Sequence, residues 1–363
     1  MIPIAKPLIG QEEIRGVLDV LQSGTIAEGP RVREFEESFA EYVGTKHAVA
    51  VNSGTAALLV GLQARGIGPG DEVIVPPFTF IATANAVLFA GARPVFADVE
   101  PETFNIDPDD IKRKITGRTK GIIPVDLYGH PAPMDEIMAI ARRHGLSVIE
   151  DACQAHGAAI GGRKCGSFDL GCFSFYPTKN MTTSEGGMLT TDDGAVAEKA
   201  RMLRSHGSRV RYYHELLGFN LRMTDICAAI GLAQLRKIDG YDEQRIANAR
   251  LLTEKLQGIP GIVPPAVRAG CRHVFHQYTI RVTEAFGPSR DALAAQLAAA
   301  GIGTGVYYPV PIHKQQLYQD LGYAENHPVS ERLAAEVLSL PVHPSVTPGE
   351  IAFIAEAIRR APS

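Results

Sequence analysis

Short apolar runs alternate with helical patterns across roughly the first two hundred residues of the chain. The runs are continuously apolar, which is typical of strands whose two sheet faces are both covered by helices. One run, Glu72–Val75, is stopped by Pro76 and Pro77, and two of the helical patterns end at Gly66 and Gly145. Further runs lie in ARPVFADV, TKGIIPVDLYG, LSVIED, GCFSF and GGMLTT. The alternation predicts an α/β fold built around a mainly parallel sheet.

The pattern changes after a predicted helix that begins at Thr224. The segment VFHQYTIRV alternates with period two, which predicts a strand with His276 and Tyr278 on one face. Near the C-terminus, TPGE predicts a capping box that opens a last helix. A chain of 363 residues is long enough for about two domains. We therefore expect a large domain over residues 1–240 and a smaller α/β domain over residues 241–363.

Charge and cysteine usage exclude several classes of protein. The 36 basic and 40 acidic residues give a net charge of −4, which is too mild for a dominant nucleic-acid-binding surface. No apolar run approaches the ~20 residues of a membrane span, and MIPIAKPLIGQEE lacks the apolar stretch of a secretory signal. The five cysteines are scattered without a C-x-x-C pair, and the 11 histidines show no metal-ligand spacing. We expect a cytoplasmic protein without disulfides, bound metal, nucleic-acid partner or membrane contact.

Two motifs carry groups that suit a ligand with a phosphate and a ring nitrogen. Ser53, Gly54 and Thr55 lie between a predicted strand and a helix, where hydroxyl groups and free helix N–H groups suit a phosphate. Asp151 ends the predicted strand SVIED, where α/β sheets bind ligands, and its carboxylate can pair with a cationic ring nitrogen. Each motif is also compatible with an ordinary helix N-cap. The chain lacks G-x-x-x-x-G-K-[ST] and G-x-G-x-x-G at these turns, which disfavours a triphosphatase or a dinucleotide-binding enzyme.

Two further motifs supply an amine and aromatic rings. Lys179 follows the predicted strand GCFSF and precedes a run of small residues, so burial there can lower its pKa and make it a nucleophile for a Schiff base. Phe78 and Phe80 follow another strand, and either ring can lie over a flat ligand. Taken singly, a solvated lysine and core packing of the aromatic rings are the ordinary explanations. Together, the four motifs describe a site for pyridoxal 5′-phosphate (PLP).

The chain resembles the DegT/DnrJ/StrS family of sugar aminotransferases, which belong to PLP fold type I, the aspartate aminotransferase fold. The resemblance rests on motifs in the family's order: NSGTAAL, GPGDEVIVPPFTFIATANAV, RTKGIIPVDLYG, VIEDACQAHGA, FSFYPTKNMTTSEGGM, GFNLRMTDICAAIGLAQL and VYYPVPIHKQ. It implies a large domain with a mainly parallel seven-stranded sheet between helices and a smaller C-terminal α/β domain. It also implies an enzyme, a PLP-dependent transaminase.

The resemblance implies roles for individual residues. Lys179 matches the lysine that forms the Schiff base with PLP, and Asp151 matches the acid that pairs with the ring nitrogen, so these two are the predicted catalytic residues. Asn220 matches an asparagine that reaches the phosphate from a neighbouring subunit, which predicts a homodimer with shared active sites. Asn220 can alternatively be an ordinary turn residue before the predicted helix at Thr224, and His313 can be a structural histidine in a loop. The predicted cofactor-binding residues are Gly54, Thr55, Phe80, Asp151, Gln154, Ser174, Lys179 and Asn220. The predicted substrate-binding residues are Arg222, Tyr308 and His313.

The implied reaction moves an amino group from L-glutamate to a nucleotide-linked keto-sugar, a step of amino-sugar, polysaccharide or glycan biosynthesis. The run TTSEGG after the lysine resembles family members that act at a 4-keto position, whereas members acting at a 3-keto position more often carry a G-x-G-D-G-G-like run. Amination of a 3-keto-sugar or of a keto-inositol stays an alternative. A second alternative, from another class, is a non-catalytic PLP-fold regulatory or binding protein, which the intact Asp151, Ser174 and Lys179 disfavour.

Overall fold

A computed structural model describes residues 1–360 of the chain. Its α-helices are α1 (Gln11–Ser23), α2 (Pro30–Val43), α3 (Gly54–Ala64), α4 (Ala82–Phe89), α5 (Pro108–Lys114), α6 (Met134–His144), α7 (Gly194–Arg204), α8 (Asp225–Leu235), α9 (Ile238–Leu256), α10 (Arg290–Ala299), α11 (Gln316–Asp320), α12 (Pro328–Glu336) and α13 (Pro348–Arg359). Within residues 1–360, no helix is both long and apolar enough to cross a membrane.

A seven-stranded sheet forms the centre of the larger part of the molecule. Its strands are β1 (His47–Val51), β2 (Glu72–Val75), β3 (Arg93–Phe96), β4 (Thr119–Ile122), β5 (Ser147–Asp151), β8 (Leu170–Ser174) and β9 (Gly187–Thr191). The spatial order is β1–β9–β8–β5–β4–β2–β3. Only β9 runs antiparallel to its neighbours, while the other neighbouring pairs in this sheet are parallel. The mainly parallel α/β sheet predicted from the sequence is confirmed.

Helices cover both faces of this sheet. Val49 and Val51 of β1 pack into a buried cluster with residues of α3, α4 and α7. Ala48 and Ala50 of the same strand enter a second cluster with residues of α2 and α8. Because successive residues of a strand point to opposite faces, both faces of β1 are buried, which is why its sequence after His47 is continuously apolar.

The register of the sheet brings the motif-bearing turns to one edge. β5 and β8 are parallel neighbours, and Asp151 pairs with Cys172 near the carboxyl end of each strand. β1 is antiparallel to β9, which is antiparallel to β8, so β1 also ends at this edge. The turns that follow these strands therefore leave the sheet side by side.

A smaller antiparallel sheet lies in the C-terminal part. Its strands, in spatial order, are β12 (Ile262–Val263), β14 (Tyr278–Val282) and β15 (Val337–Leu340). Residues from α9, α10 and α13 complete its hydrophobic core. The remaining short strands are β6 (Ala159–Ile160), β7 (Arg163–Lys164), β10 (Ser208–Val210), β11 (Tyr213–His214) and β13 (Cys271–Arg272). The domain boundary near residue 240 stays a prediction: α9 runs through that position, and Ile2 joins the C-terminal core.

The structure departs from the predicted strand at VFHQYTIRV. Only Tyr278–Val282 forms a strand, and the residues before it are irregular. Phe275 has a φ of 45°, a left-handed conformation that interrupts extended backbone. The N–H of Val274 donates to the carbonyl of Gly129 at 3.0 Å, outside any sheet ladder. This irregular segment places His276 in the wall of the cavity at the sheet edge.

Candidate active site

A cavity of about 390 Å³ opens at the edge of the seven-stranded sheet, where β5 and β8 end. Its volume falls within the roughly 300–1,000 Å³ that is common for small-molecule sites. Residues that follow four different strands converge on this one site. Its wall contains the predicted site residues Gly54, Thr55, Phe80, Asp151, Gln154, Ser174, Lys179 and Tyr308.

The first turn of α3 forms one part of the cavity wall. Ser53 is the N-cap, and its Oγ accepts a hydrogen bond from a backbone N–H of that turn at 3.1 Å. Gly54 lies so close to the end of β8 that a Cβ atom there would stand 2.7 Å from Cβ of Ser174 and 2.9 Å from Sγ of Cys153. N–H groups without intrahelical acceptors, together with the hydroxyls of Thr55 and Ser174, make this turn a cradle for a phosphate.

Asp151 is held in a fixed orientation at the end of β5, where it is only 5% exposed. Its backbone N–H donates to the carbonyl of Pro124 at 2.8 Å. Its Oδ2 accepts a hydrogen bond from the hydroxyl of Thr83 at 2.8 Å, and its Oδ1 accepts one from the N–H of Cys153 at 3.3 Å. Because the bond to Oδ1 is the longer and weaker of the two, Oδ1 can more readily accept a hydrogen bond from a ligand than Oδ2 can.

Lys179 lies on the turn after β8, and its side chain lines the cavity. Its backbone N–H donates to the carbonyl of Tyr176 at 2.9 Å, which closes the turn. Burial lowers the pKa of its ammonium group, and the nearby Cys153 and Asp151 oppose that shift. A lysine with a lowered pKa has a larger fraction of free amine, the form that attacks a carbonyl and accepts a proton.

An aromatic pair borders the same cavity. The ring centroids of Phe80 and Tyr308 are 5.9 Å apart, and Phe80 remains 54% exposed. The amide nitrogen of Gln154 donates to the hydroxyl of Tyr308 at 3.4 Å, while its Oε1 accepts the N–H of Tyr128 at 2.8 Å. Burial raises the pKa of Tyr308, so this phenol keeps its proton at neutral pH. The pair offers a ring face and a polar hydroxyl to a bound molecule.

The cavity wall also contains residues that the sequence analysis missed: Thr83, Glu185, His276, Gln277 and Tyr307. His276 lies in the irregular segment that period-two alternation assigns to a strand. Thr83 lies three residues after Phe80, and this closeness in sequence to a predicted site residue was the available signal. Glu185 belongs to the TTSEGG run, whose position after the lysine was its signal.

Three predicted site residues lie outside this cavity wall in the single chain. Asn220 is exposed on the segment before α8. Arg222 is half-buried, with its Nε 3.7 Å from Oε2 of Glu28. His313 is fully buried, and its Nε2 lies 3.0 Å from Oε1 of Glu331, as a structural loop histidine would.

Two carboxyl groups are buried beside Asp151 in the sheet. Asp126 and Glu150 are fully buried, and their carboxylate oxygens lie within 4.8 Å of each other and of Sγ of Cys165. Burial raises the pKa of Asp126 to about 7. Burial also raises the pKa of Glu150 well above its usual range, and the charge of Asp126 adds to the shift. The pair therefore holds a proton at neutral pH.

The fold and the site together define an aminotransferase of PLP fold type I. Residues 7–359 match the model of the DegT/DnrJ/EryC1/StrS aminotransferase family. The chain belongs to this family, and like its other aminotransferases it is a PLP-dependent enzyme. The fold class, the enzyme class and the cofactor predicted from the sequence are thereby confirmed.

Individual relatives match over nearly their whole length. A UDP-N-acetyl-3-dehydro-alpha-D-glucosamine 3-aminotransferase from Acidithiobacillus ferrooxidans is 46% identical over 352 residues, covering 96% of this chain and 93% of the relative. A pleiotropic regulatory protein from Geobacillus stearothermophilus is 45% identical over 352 residues, covering 95% of this chain and 93% of the relative. The crystal structure of DesV from S. venezuelae, in complex with a ketimine intermediate, superposes with a TM-score of 0.92 at 42% identity, covering 96% of this chain and 93% of that one.

The groups in the cavity wall fit PLP on chemical grounds. The turn at Gly54 leaves a cradle that a Cβ atom would fill, beside hydroxyl and N–H donors for a phosphate. An acceptor for a ring N–H is present in Asp151, and an amine of lowered pKa is present in Lys179.

Proposed function

We propose that this protein transfers an amino group from L-glutamate to a nucleotide-linked keto-sugar. The observation that carries the proposal is the convergence in one cavity of the Lys179 amine, the oriented Asp151 carboxylate and the N-terminus of α3. The name of the A. ferrooxidans relative, which specifies a UDP-linked sugar, supports the substrate class. Such an activity belongs to the synthesis of amino sugars for polysaccharides or glycans.

The residues of the site divide the work of transamination. PLP supplies an aldehyde that condenses with amines and a ring that accepts an electron pair. The Asp151 carboxylate would accept a hydrogen bond from the ring N–H of PLP and so favour the protonated nitrogen. Nζ of Lys179 takes the proton from the carbon that carries the donor's amino group, and later delivers a proton to the sugar carbon that becomes aminated. The first turn of α3 and Ser174 would hold the phosphate, and Phe80 would offer its ring to the cofactor ring.

We place the reacting ketone at C-4 of the sugar. The TTSEGG run resembles family members that act at this position, and its Glu185 lines the cavity. The hydroxyl of Thr183 donates to the carbonyl of Glu185 at 2.7 Å, and that of Thr182 donates to the carbonyl of Phe175 at 2.9 Å. These bonds fix the run beside the residue that follows β8. Glu185 itself is exposed in the cavity wall, so its carboxylate is available to accept hydrogen bonds from sugar hydroxyls.

Amination at C-3 is the second candidate. The A. ferrooxidans relative, at 46% identity, is named as a 3-aminotransferase. The G. stearothermophilus relative is named as a regulatory protein, so a non-catalytic role is a third outcome that the experiments must separate.

We further propose a homodimer whose subunits share active sites. Asn220 is exposed and outside the cavity wall of its own chain, which suits a residue that acts in a partner's site. Ile14, Leu18 and Leu21 of α1 are 45%, 49% and 51% exposed. Their i, i+4, i+7 spacing makes an apolar stripe along one side of the helix, of the kind that a second subunit covers.

The half-reaction with L-glutamate tests whether the protein is a transaminase. PLP-loaded protein is mixed with L-glutamate in the absence of sugar, and 2-oxoglutarate is measured. We expect about one equivalent of 2-oxoglutarate per active site, and none from the Lys179→Ala variant. If no amino acid yields an oxo acid while PLP is bound, the proposal fails and the result supports the non-catalytic regulatory alternative.

A substrate panel tests the position. The protein is incubated with L-glutamate and a matched set of nucleotide-linked 3-keto-sugars and 4-keto-sugars, with a keto-inositol as a third acceptor. Mass spectrometry detects the amino product, and NMR assigns the aminated carbon. Turnover of 4-keto-sugars with kcat/KM at least about tenfold above that of 3-keto-sugars supports C-4, and the reverse ratio assigns C-3.

A further inference from the structure

Thr83 makes a hydrogen bond that its position in a helix does not explain. It lies in the first turn of α4, where a threonine hydroxyl usually bonds to its own helix or caps it. Its hydroxyl instead donates to Oδ2 of Asp151 at 2.8 Å, across 68 residues of sequence. Both side chains are buried, at 1% and 5% exposure, so this bond has little competition from solvent.

A second threonine completes the arrangement. The hydroxyl oxygens of Thr79 and Thr83 are 3.3 Å apart, and Thr79 is 3% exposed. An ionised carboxylate only accepts hydrogen bonds, so the proton of Thr83 is committed to Asp151. The proton between the two hydroxyls must then come from Thr79. The bonds therefore run in one direction, from Thr79 through Thr83 to Asp151.

We propose that Thr83 is a positioning residue that fixes the rotation of the Asp151 carboxylate and leaves Oδ1 free for the ring nitrogen of PLP. The inference rests on the role proposed above for Asp151. Thr83 occupies Oδ2, and the weaker 3.3 Å bond from Cys153 leaves Oδ1 able to accept a stronger donor. Without the hydroxyl, one buried carboxylate oxygen loses its partner, and the carboxylate can rotate.

This placement also links two parts of the site. Phe80 lies two residues before α4, and the N–H of Thr83 donates to the carbonyl of Phe80 at 3.2 Å, so one backbone turn joins the two residues. This turn therefore carries both the hydroxyl that bonds to Asp151 and the Phe80 ring in the cavity wall. The ionisable groups whose charges act on Asp151 or respond to it are Lys179, Cys153, Cys172, Tyr308 and Asp126.

The experiment compares Thr83→Val, which keeps the shape but removes the hydroxyl, with Thr83→Ser, which keeps the hydroxyl. Thr103→Val is the matched control, because Thr103 is also buried and also donates to a carboxylate, Oε2 of Glu100 at 2.7 Å, but lies outside the cavity wall. PLP affinity of the apo-protein is measured by absorbance titration, together with kcat, the sugar KM and the thermal midpoint.

We expect Thr83→Val to weaken PLP binding and to lower kcat, each by about tenfold or more, with the sugar KM changed by less than about twofold. Thr83→Ser should restore both to within about threefold of wild type. Thr103→Val should lower the thermal midpoint without changing PLP affinity or kcat. A Thr83→Val protein with wild-type PLP affinity and kcat overturns the proposal, and so does a parallel loss in the Thr103 control.

A further variant keeps the inference testable if Thr83→Val does not fold. Thr83→Cys offers a thiol, which is a weak donor on a side chain of nearly the same shape as serine. It should bind PLP at least about threefold more weakly than Thr83→Ser, and equal affinities overturn the proposal. PLP titration needs no sugar or amino donor. The effect of Thr83 on PLP affinity can therefore be measured even if the amino-transfer proposal fails.

Discussion

Replacing Gly54 by alanine should disrupt the phosphate cradle at the start of α3. The new Cβ would stand 2.7 Å from Cβ of Ser174, whereas non-bonded carbon atoms rest about 3.5–4.0 Å apart, so α3 and the end of β8 must separate by roughly 1 Å. A phosphate hydrogen bond of about 2.9 Å that lengthens by this amount is lost. One bond to a charged group contributes about 1.5–3 kcal/mol, which predicts a PLP Kd about 10–100 times higher. Overpacking should also lower the free energy of unfolding by about 1–3 kcal/mol.

The assay separates the phosphate cradle from the rest of the site by comparing PLP with pyridoxal, which lacks the phosphate. Gly54→Ala should reduce the preference for PLP over pyridoxal by about tenfold or more, because pyridoxal affinity does not depend on the cradle. Gly240→Ala is the matched control: it adds a Cβ in the first turn of α9, with no atom within 4 Å beyond its chain neighbours and the helix's own backbone. That variant should leave both affinities unchanged and gain up to about 1 kcal/mol of stability. Equal losses of PLP and pyridoxal affinity in Gly54→Ala, or a PLP Kd within about twofold of wild type, would refute the reasoning.

Three other changes test separate parts of the site. Because their pKa values are raised in the folded protein, Glu150 and Asp126 bind protons more tightly when folded, so wild-type stability should fall as pH rises from about 4 through about 7. Glu150→Gln cannot ionise, and thermal melts from pH 5 to pH 8 should show its midpoint rising relative to wild type toward pH 8; parallel curves would contradict the assignment. Asp151→Asn should keep PLP bound, visible by absorbance, but lower kcat by about a hundredfold, and unchanged turnover would remove its proposed role. Mixing Asn220→Ala and Lys179→Ala subunits should regain roughly a quarter of wild-type activity, because half the dimers then hold one intact site, whereas no recovery argues against shared sites.

Much of the fold was predictable because the burial of a strand is reflected in the residue types of that strand alone. A strand covered on both faces is mainly apolar, so a run such as Val73, Ile74 and Val75 in β2 favours a buried strand of a parallel sheet. VFHQYTIRV shows the limit of this reasoning. Its alternation predicts a strand throughout, but Phe275 adopts a positive φ, and the backbone before Tyr278 bonds to the segment at Gly129 instead of a sheet neighbour.

The candidate site divides in the same way. Lys179 and Asp151 follow strands whose ends meet at one edge, so sequence order and sheet topology suffice to bring them together. His313 shows the opposite case, because a motif position does not reveal which way a loop side chain turns. It is buried against Glu331 in this fold and not in the cavity wall.

The sequence by itself determined the α/β class, the turns that carry reactive groups, and the chemistry of those groups, because residue type and local periodicity encode all three. The tertiary structure decided which groups meet. The bond from Thr83 to Asp151 joins residues 68 positions apart, and the paired burial of Asp126 with Glu150 depends on the register of neighbouring strands. Such contacts arise from the packing of whole elements, in which a small shift of register or helix rotation exchanges one partner for another. The local pattern of residues along the chain does not specify that register or rotation.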